Sequence, residues 1–125
     1  MIIIDTYAWI EYFKGSEQGK IVEKYLNEEK TITPSVVLIE LSCKSIKEGW
    51  DFEEYLKFIK SKSLIIGMDD ESIIKCGQIY FNEKKKKSGF GLVDAIILTS
   101  AIRMNAKILT GDEHFRDVKE AVFIK

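Results

Sequence analysis

The sequence holds one proline, one histidine and two cysteines, and no apolar run approaches the length of a membrane span. Each shortage closes off a class of explanation. A single histidine removes the HExxH and Cys2His2 zinc motifs, which leaves carboxylates as the plentiful metal-binding or acid–base groups. Cys43 and Cys76 stand far apart with no C-x-x-C pattern, each inside a helical-looking run, so buried free thiols are favoured over a disulfide or a zinc site. A membrane helix needs roughly 18 or more consecutive apolar residues, and Met1-Ile2-Ile3-Ile4-Asp5 lacks the charged and longer apolar regions of a secretion signal. The expected setting is cytoplasmic, with no membrane partner. An excess of positive charge is missing too, since 19 Lys+Arg stand against 20 Asp+Glu. Domains that bind nucleic acid by basicity alone usually have a pI above about 9, so a polyanionic partner here requires a local patch.

What remains is an ordinary globular composition. The chain has 125 residues, 46% of them apolar and 31% charged. That length and hydrophobicity suit one compact domain over residues 1–125 and exclude a disordered chain. No repeat, low-complexity stretch or Pro/Gly/Ser-rich linker divides it.

Periodicity sets out the elements. Ile2–Asp5 is a short β-branched run that turns into a helix over Tyr7–Lys14, ended by Gly15-Ser16. Gly19–Glu29 reads as a second helix and Thr31–Thr33 as a brief strand. Pro34 fits the first turn of a helix that reaches about Glu48, before Gly49. Phe52–Lys60 is helical, Leu64–Ile66 a strand, and Asp70–Lys85 and Leu92–Met104 two more helices. Lys107–Thr110 and Val122–Ile124 complete the strands. Strands alternating with helices along the whole chain predict an α/β fold with a mostly parallel sheet covered on both faces. In such sheets ligands bind beyond the carboxyl ends of the strands.

Two acids fall at those ends. Asp5 follows Ile2-Ile3-Ile4, and Asp112 follows Ile108-Leu109-Thr110-Gly111. Asp is also a preferred N-cap, so each position admits a purely structural role. Glu40 and Asp94 resist that explanation. Glu40 projects between Val36 and Val37 on a helix whose first half is apolar almost all round, and Asp94 projects between Ala101 and Leu98, away from the polar arc of Thr99, Ser100 and Arg103. An isolated buried carboxylate costs several kcal/mol unless protonated, paired or metal-bound, so each needs either a lysine or a cation.

If Asp5, Glu40, Asp94 and Asp112 converge, their mutual repulsion raises at least one pKa, and a divalent cation relieves it. Oxygen ligands suit Mg2+ or Mn2+, and such an ion generates a nucleophilic water for phosphodiester hydrolysis. Thr6 and Thr110 stand beside the strand-end acids, where a hydroxyl bonds either a carboxylate or phosphate, or simply stabilises a turn.

Other features divide between structural and functional roles. Lys84, Lys85, Lys86 and Lys87 form the densest charge run, which serves either as a solvated helix end or as a flank that contacts the phosphates of a nucleic acid. Arg116 is either a surface residue or a phosphate contact, and His114 either a partly exposed structural histidine or a substrate contact. Gly89-x-Gly91 follows a helix instead of a strand and so makes no dinucleotide site. Trp9, Tyr12, Phe13 and Tyr25 are spaced to share one apolar surface, as core first and as a partner face second.

Four stretches together resemble the PIN-domain family, and within it the small VapC-type toxins. They are Ile2-Ile3-Ile4-Asp5-Thr6, Pro34-Ser35-Val36-Val37-Leu38-Ile39-Glu40-Leu41, Val93-Asp94-Ala95-Ile96-Ile97-Leu98-Thr99-Ser100-Ala101, and Ile108-Leu109-Thr110-Gly111-Asp112-Glu113-His114-Phe115. The resemblance implies a three-layer α/β/α sandwich and an endoribonuclease dependent on one or two Mg2+ or Mn2+ ions. It also implies a homodimer and a cognate VapB-type antitoxin whose C-terminal segment crosses the active-site groove. Metal ligation, direct or through water, carries over to Asp5, Glu40, Asp94 and Asp112, with Thr110 in support of the last. Tyr7 departs from the pattern, because many relatives have Ser after Asp-Thr.

Alternatives within the family are a housekeeping nuclease of RNA processing and an inactive binding module. Outside it stands a receiver-type phosphoacceptor domain. Receivers carry an adjacent acid pair after the first strand, where this chain has Asp5-Thr6, and the lysine expected after the fifth strand has only Lys125 to represent it.

Overall fold

The computed structural model describes residues 1–125. Ile2–Ile4 form β1, and all three are buried, as a strand covered on both faces requires. There follow α1 (Thr6–Lys14), α2 (Glu17–Glu28), β2 (Thr31–Pro34), α3 (Ser35–Glu48), α4 (Phe52–Lys62), β3 (Ser63–Ile66), α5 (Asp70–Lys86), α6 (Leu92–Met104), β4 (Lys107–Thr110), a 3-10 turn at Glu113–Phe115, and β5 (Ala121–Phe123).

The five strands lie in the order β3-β2-β1-β4-β5, and every pair is parallel. From β1 the chain steps outward to β2 and β3, then returns past β1 to β4 and β5. Right-handed crossovers that run in opposite directions place their helices on opposite faces, which makes the three layers. The reversal puts β1 beside β4, with Ile3 opposite Ile108 and Ile4 opposite Leu109. A crevice opens beyond the carboxyl ends of two such strands. No helix is long and apolar enough to cross a membrane.

Local chemistry explains most boundaries. α6 and β4 lie where the periodicity puts them. α2 starts at Glu17, ahead of the expected Gly19, because Ser16 caps it: Gly19 N–H donates to Ser16 Oγ at 3.0 Å. Pro34 is the last residue of β2 and the N-cap of α3 instead of a first-turn residue, with φ −62° and an extended ψ of 142°. β5 sits one residue earlier than expected, at Ala121–Phe123.

The aromatic residues near the start of the chain are core. Trp9 is fully buried, stacks on Phe13 at 5.7 Å between ring centroids and meets Phe58 edge-on at 6.4 Å. Its indole N–H donates to Thr33 Oγ1 at 3.1 Å, so the one polar atom of the ring is satisfied in the interior. Tyr12, Phe13 and Tyr25 pack against that core half-buried. The two cysteines differ from expectation in part. Cys76 is buried, whereas Cys43 is exposed on α3 because nothing in the chain covers its side of that helix.

Candidate active site

β1 ends at Ile4, and Asp5 turns the chain into α1 as its N-cap, with Oδ1 accepting from Ala8 N–H at 2.9 Å. The capping role and the site role thus coincide in one side chain. Asp5 is 2% exposed, and burial pushes its carboxyl up to about 7. The Thr110 hydroxyl and the Ala8 N–H oppose that rise, while the charges of Asp112 and Glu40 add to it.

Glu40 enters from α3. Burial raises its pKa, the negative charges of Asp94 and Asp112 raise it further, and the Thr6 hydroxyl lowers it by donating to Oε1 at 2.5 Å. Its setting is half-buried, which corrects the expected apolar surroundings. Ile39 is 62% exposed and Ile46 83%, because α3 packs on the fold along one side and leaves an apolar groove of Leu38, Ile39, Cys43, Phe52, Leu56 and Ile65 uncovered on the other.

Asp94 stands in the first turn of α6, 8% exposed, and faces inward as its position on the helical projection predicts. Its Oδ2 accepts from Gly91 N–H at 2.8 Å, an N-terminal contact that satisfies one of the free donors of the helix. Burial raises its pKa, with the Asp112 charge acting in the same direction and the Gly91 N–H and His114 against it. Asp112 caps the 3-10 turn. Its Oδ1 accepts from His114 N–H at 2.9 Å, and its own N–H donates to Thr110 Oγ1 at 3.0 Å.

The four acids therefore meet beyond the carboxyl ends of β1 and β4, close enough for their charges to act on one another. Thr6 and Thr110 both hydrogen-bond within that group, Thr6 to the Glu40 carboxylate and Thr110 to the Asp112 backbone N–H. His114 joins them, with Nδ1 2.9 Å from Asp94 Oδ2 and 3.5 Å from Asp112 Oδ1. Its position two residues after Asp112 was the only signal in the sequence.

One ligand atom each from Asp94, Asp112 and His114 lies within 4.8 Å of the others. Converging carboxylate oxygens with one imidazole nitrogen suit a divalent cation, and the unrelieved repulsion of the four acids gives that cation a function.

The basic candidates sit differently. Lys84 and Lys87 are bonded to backbone carbonyls, Lys86 pairs with Glu83 at 3.0 Å, and Lys85 is exposed with neither a hydrogen bond nor an ion pair. Arg116 grips Glu113 through two bonds of 2.6 and 2.9 Å, which hold that carboxyl down at about 2, and lies 4.5 Å over the Phe123 ring.

The fold matches solved structures along its whole length. A chain of a toxin–antitoxin complex from Klebsiella pneumoniae aligns with a TM-score of 0.76 at 18% identity, covering 100% of this chain and 98% of that one. A chain of VapBC2 from Rickettsia felis, bound to a DNA fragment from their promoter, gives 0.75 at 21% identity, over 98% and 97%. DNA-bound VapBC from Salmonella typhimurium gives 0.74 at 21%, over 96% and 93%. Identities this low establish a shared fold alone. No curated protein matches the sequence directly. The profile of the PIN domain family matches residues 2–121, which takes in β1 to β4 and all four acids, and the chain belongs to that family.

Proposed function

We propose that residues 1–125 form a single-domain, Mg2+- or Mn2+-dependent endoribonuclease that serves as the toxin of a toxin–antitoxin pair. The observation that carries this reading is the convergence of Asp5, Glu40, Asp94 and Asp112 at the switch point of the sheet. Membership of the PIN domain family supports nuclease chemistry, and the likeness to chains of toxin–antitoxin complexes supports the partner.

In this reading the four acids hold the cation, directly or through water, and His114 adds a nitrogen donor beside Asp94 and Asp112. When bound, the cation polarises a phosphodiester oxygen and lowers the pKa of a water molecule. The protein's own part is to fix the ligands. Ala8 N–H and Thr110 orient Asp5, Thr6 orients Glu40, and Gly91 N–H orients Asp94. With Asp5 titrating near 7, cation binding at neutral pH displaces protons from the site.

Bound cations also answer the charge balance of the whole chain. Four of its acids are neutralised within one cleft, so a pI near 5.9 is compatible with an RNA substrate. Lys85, with no protein partner, is the lysine of the run best placed to meet a phosphate. The uncovered groove along α3 offers apolar surface for the antitoxin or for a second copy in a homodimer. A metal-free preparation offered RNA and single-stranded DNA in parallel, with and without Mn2+, tests the assignment. Cleavage of RNA only when Mn2+ is present is the expected result, and metal-independent cleavage would contradict it.

A further inference from the structure

Two lysines of the charged run fix the loop that leads into α6. Lys84 Nζ donates to the carbonyls of Ser88 at 3.1 Å and Phe90 at 3.4 Å. Lys87 Nζ reaches 26 and 29 residues along the chain, to the carbonyls of Glu113 at 3.0 Å and Arg116 at 2.7 Å. That second pair of bonds joins two segments that each carry acids. The loop runs on to Gly91, whose N–H holds Asp94, and the Glu113–Phe115 turn presents His114 and is capped by Asp112.

Other contacts tighten the same junction. Phe90 and Phe115, both fully buried, meet edge-on at 6.0 Å between centroids. A Cβ placed on Gly89 would stand 3.2 Å from His114 Nε2, so the loop backbone lies close against the imidazole. The Glu113 carbonyl also accepts from Arg116 N–H at 3.1 Å within the turn, and the Arg116 carbonyl lies just past its end, so the ammonium bridges two carbonyls and complements their negative ends.

We propose that Lys87 is a positioning residue for the metal-binding cluster. Its ammonium clamps the entry of α6 to the 3-10 turn and so sets the spacing of Asp94 from Asp112 and His114. This inference rests on the metal-dependent reading above and assigns Lys87 a role apart from RNA. An ammonium already bonded at 2.7 and 3.0 Å to two carbonyls of another segment is committed to the protein, whereas Lys85 is free.

Calorimetric titration of the metal-free full chain with Mn2+, without RNA, tests the clamp in four proteins: wild type, Lys87→Met, Lys87→Arg and Lys85→Met. Lys85→Met removes the same charge two residues away and controls for net charge. Outer-shell partners of metal ligands typically contribute a factor of 10–100 in affinity, so Lys87→Met is expected to bind Mn2+ about 10-fold more weakly than Lys85→Met. Lys87→Arg keeps a cationic donor and is expected to recover most of the loss. Equal affinities for the two methionine variants would overturn the proposal.

Amide spectra of the metal-free proteins separate this failure from failure of the metal reading. If wild type does not bind Mn2+, the metal reading falls and the clamp is judged on the spectra. Shifts at Gly91, Asp94 and His114 in Lys87→Met but not in Lys85→Met support it, and unshifted resonances refute it.

Discussion

The ring of Tyr7 lies so close to the backbone of Gly111 that a Cβ at position 111 would stand 2.3 Å from Tyr7 Cε1 and 2.5 Å from Cζ. Tyr7 comes two residues after Asp5 and Gly111 one before Asp112, so the contact locks together the ends of β1 and β4 that carry those acids. A family position where Ser is common is filled here by a packing residue, and glycine opposite it makes the room. Gly111→Ala is expected to destabilise the fold by about 1–3 kcal/mol, the usual cost of overpacking. The cost should shrink in a Tyr7→Ser background, a coupling that a double-mutant cycle in urea measures directly. Additive effects would show that Tyr7 and Gly111 are not in energetic contact.

Asp5 links stability to pH with a definite sign. Its carboxyl titrates at about 7 in the folded protein against 3.8 for an ordinary aspartate. Between those values the folded state holds the proton and the unfolded state does not, so this group's contribution is full at low pH and is lost as pH rises through 7. Glu40 and Asp94 are raised as well and act in the same direction. Metal-free Asp5→Asn is therefore expected to gain on wild type as pH rises from about 4 to about 8, by up to about 4 kcal/mol. Denaturant midpoints across that range check the trend, and parallel curves for the two proteins would contradict it.

α1 and α2 cross at Gly19, where a Cβ would stand 2.1 Å from the carbonyl oxygen of Glu11 and 3.0 Å from Tyr12 Cα. The obstruction is backbone, so no rotamer change relieves it. Gly19→Ala is expected to cost about 3 kcal/mol, at the upper end of overpacking, despite the gain in helix propensity. Gly77→Ala, on α5 with nothing within 4 Å of its Cβ position, serves as the control and is expected to stabilise the protein slightly. Comparable unfolding midpoints for the two variants would show that α1 and α2 are not closely packed at Gly19.

The sequence made some of this legible and concealed the rest for physical reasons. α6 and β4 stand out because their apolar runs are continuous and are closed by punctuation at both ends: Gly91 before Leu92, and Asn105 in the left-handed conformation after Met104. Asp5 and Asp112 were ambiguous between cap and site, and the structure shows why, since each does cap a helical turn. Glu40 lies on the helix that periodicity predicts, yet its surroundings depend on how much of α3 the rest of the chain covers, which periodicity does not encode. His114 and Lys87 owe their positions to partners 20 to 29 residues away. Contacts at that range are fixed by topology, and no local pattern announces them.

In the proposed function Asp5, Glu40, Asp94 and Asp112 form one metal-dependent catalytic centre. Side-by-side cleavage of a defined RNA by wild type and Asp94→Asn, each with Mn2+ and again with excess EDTA, tests it most directly. Circular dichroism confirms beforehand that both proteins are folded. Expected are cleavage by wild type with Mn2+, none with EDTA, and a rate lower by at least about 100-fold in Asp94→Asn, since losing a ligand forfeits several kcal/mol of transition-state stabilisation. Undiminished cleavage by folded Asp94→Asn, or by wild type in EDTA, would contradict it.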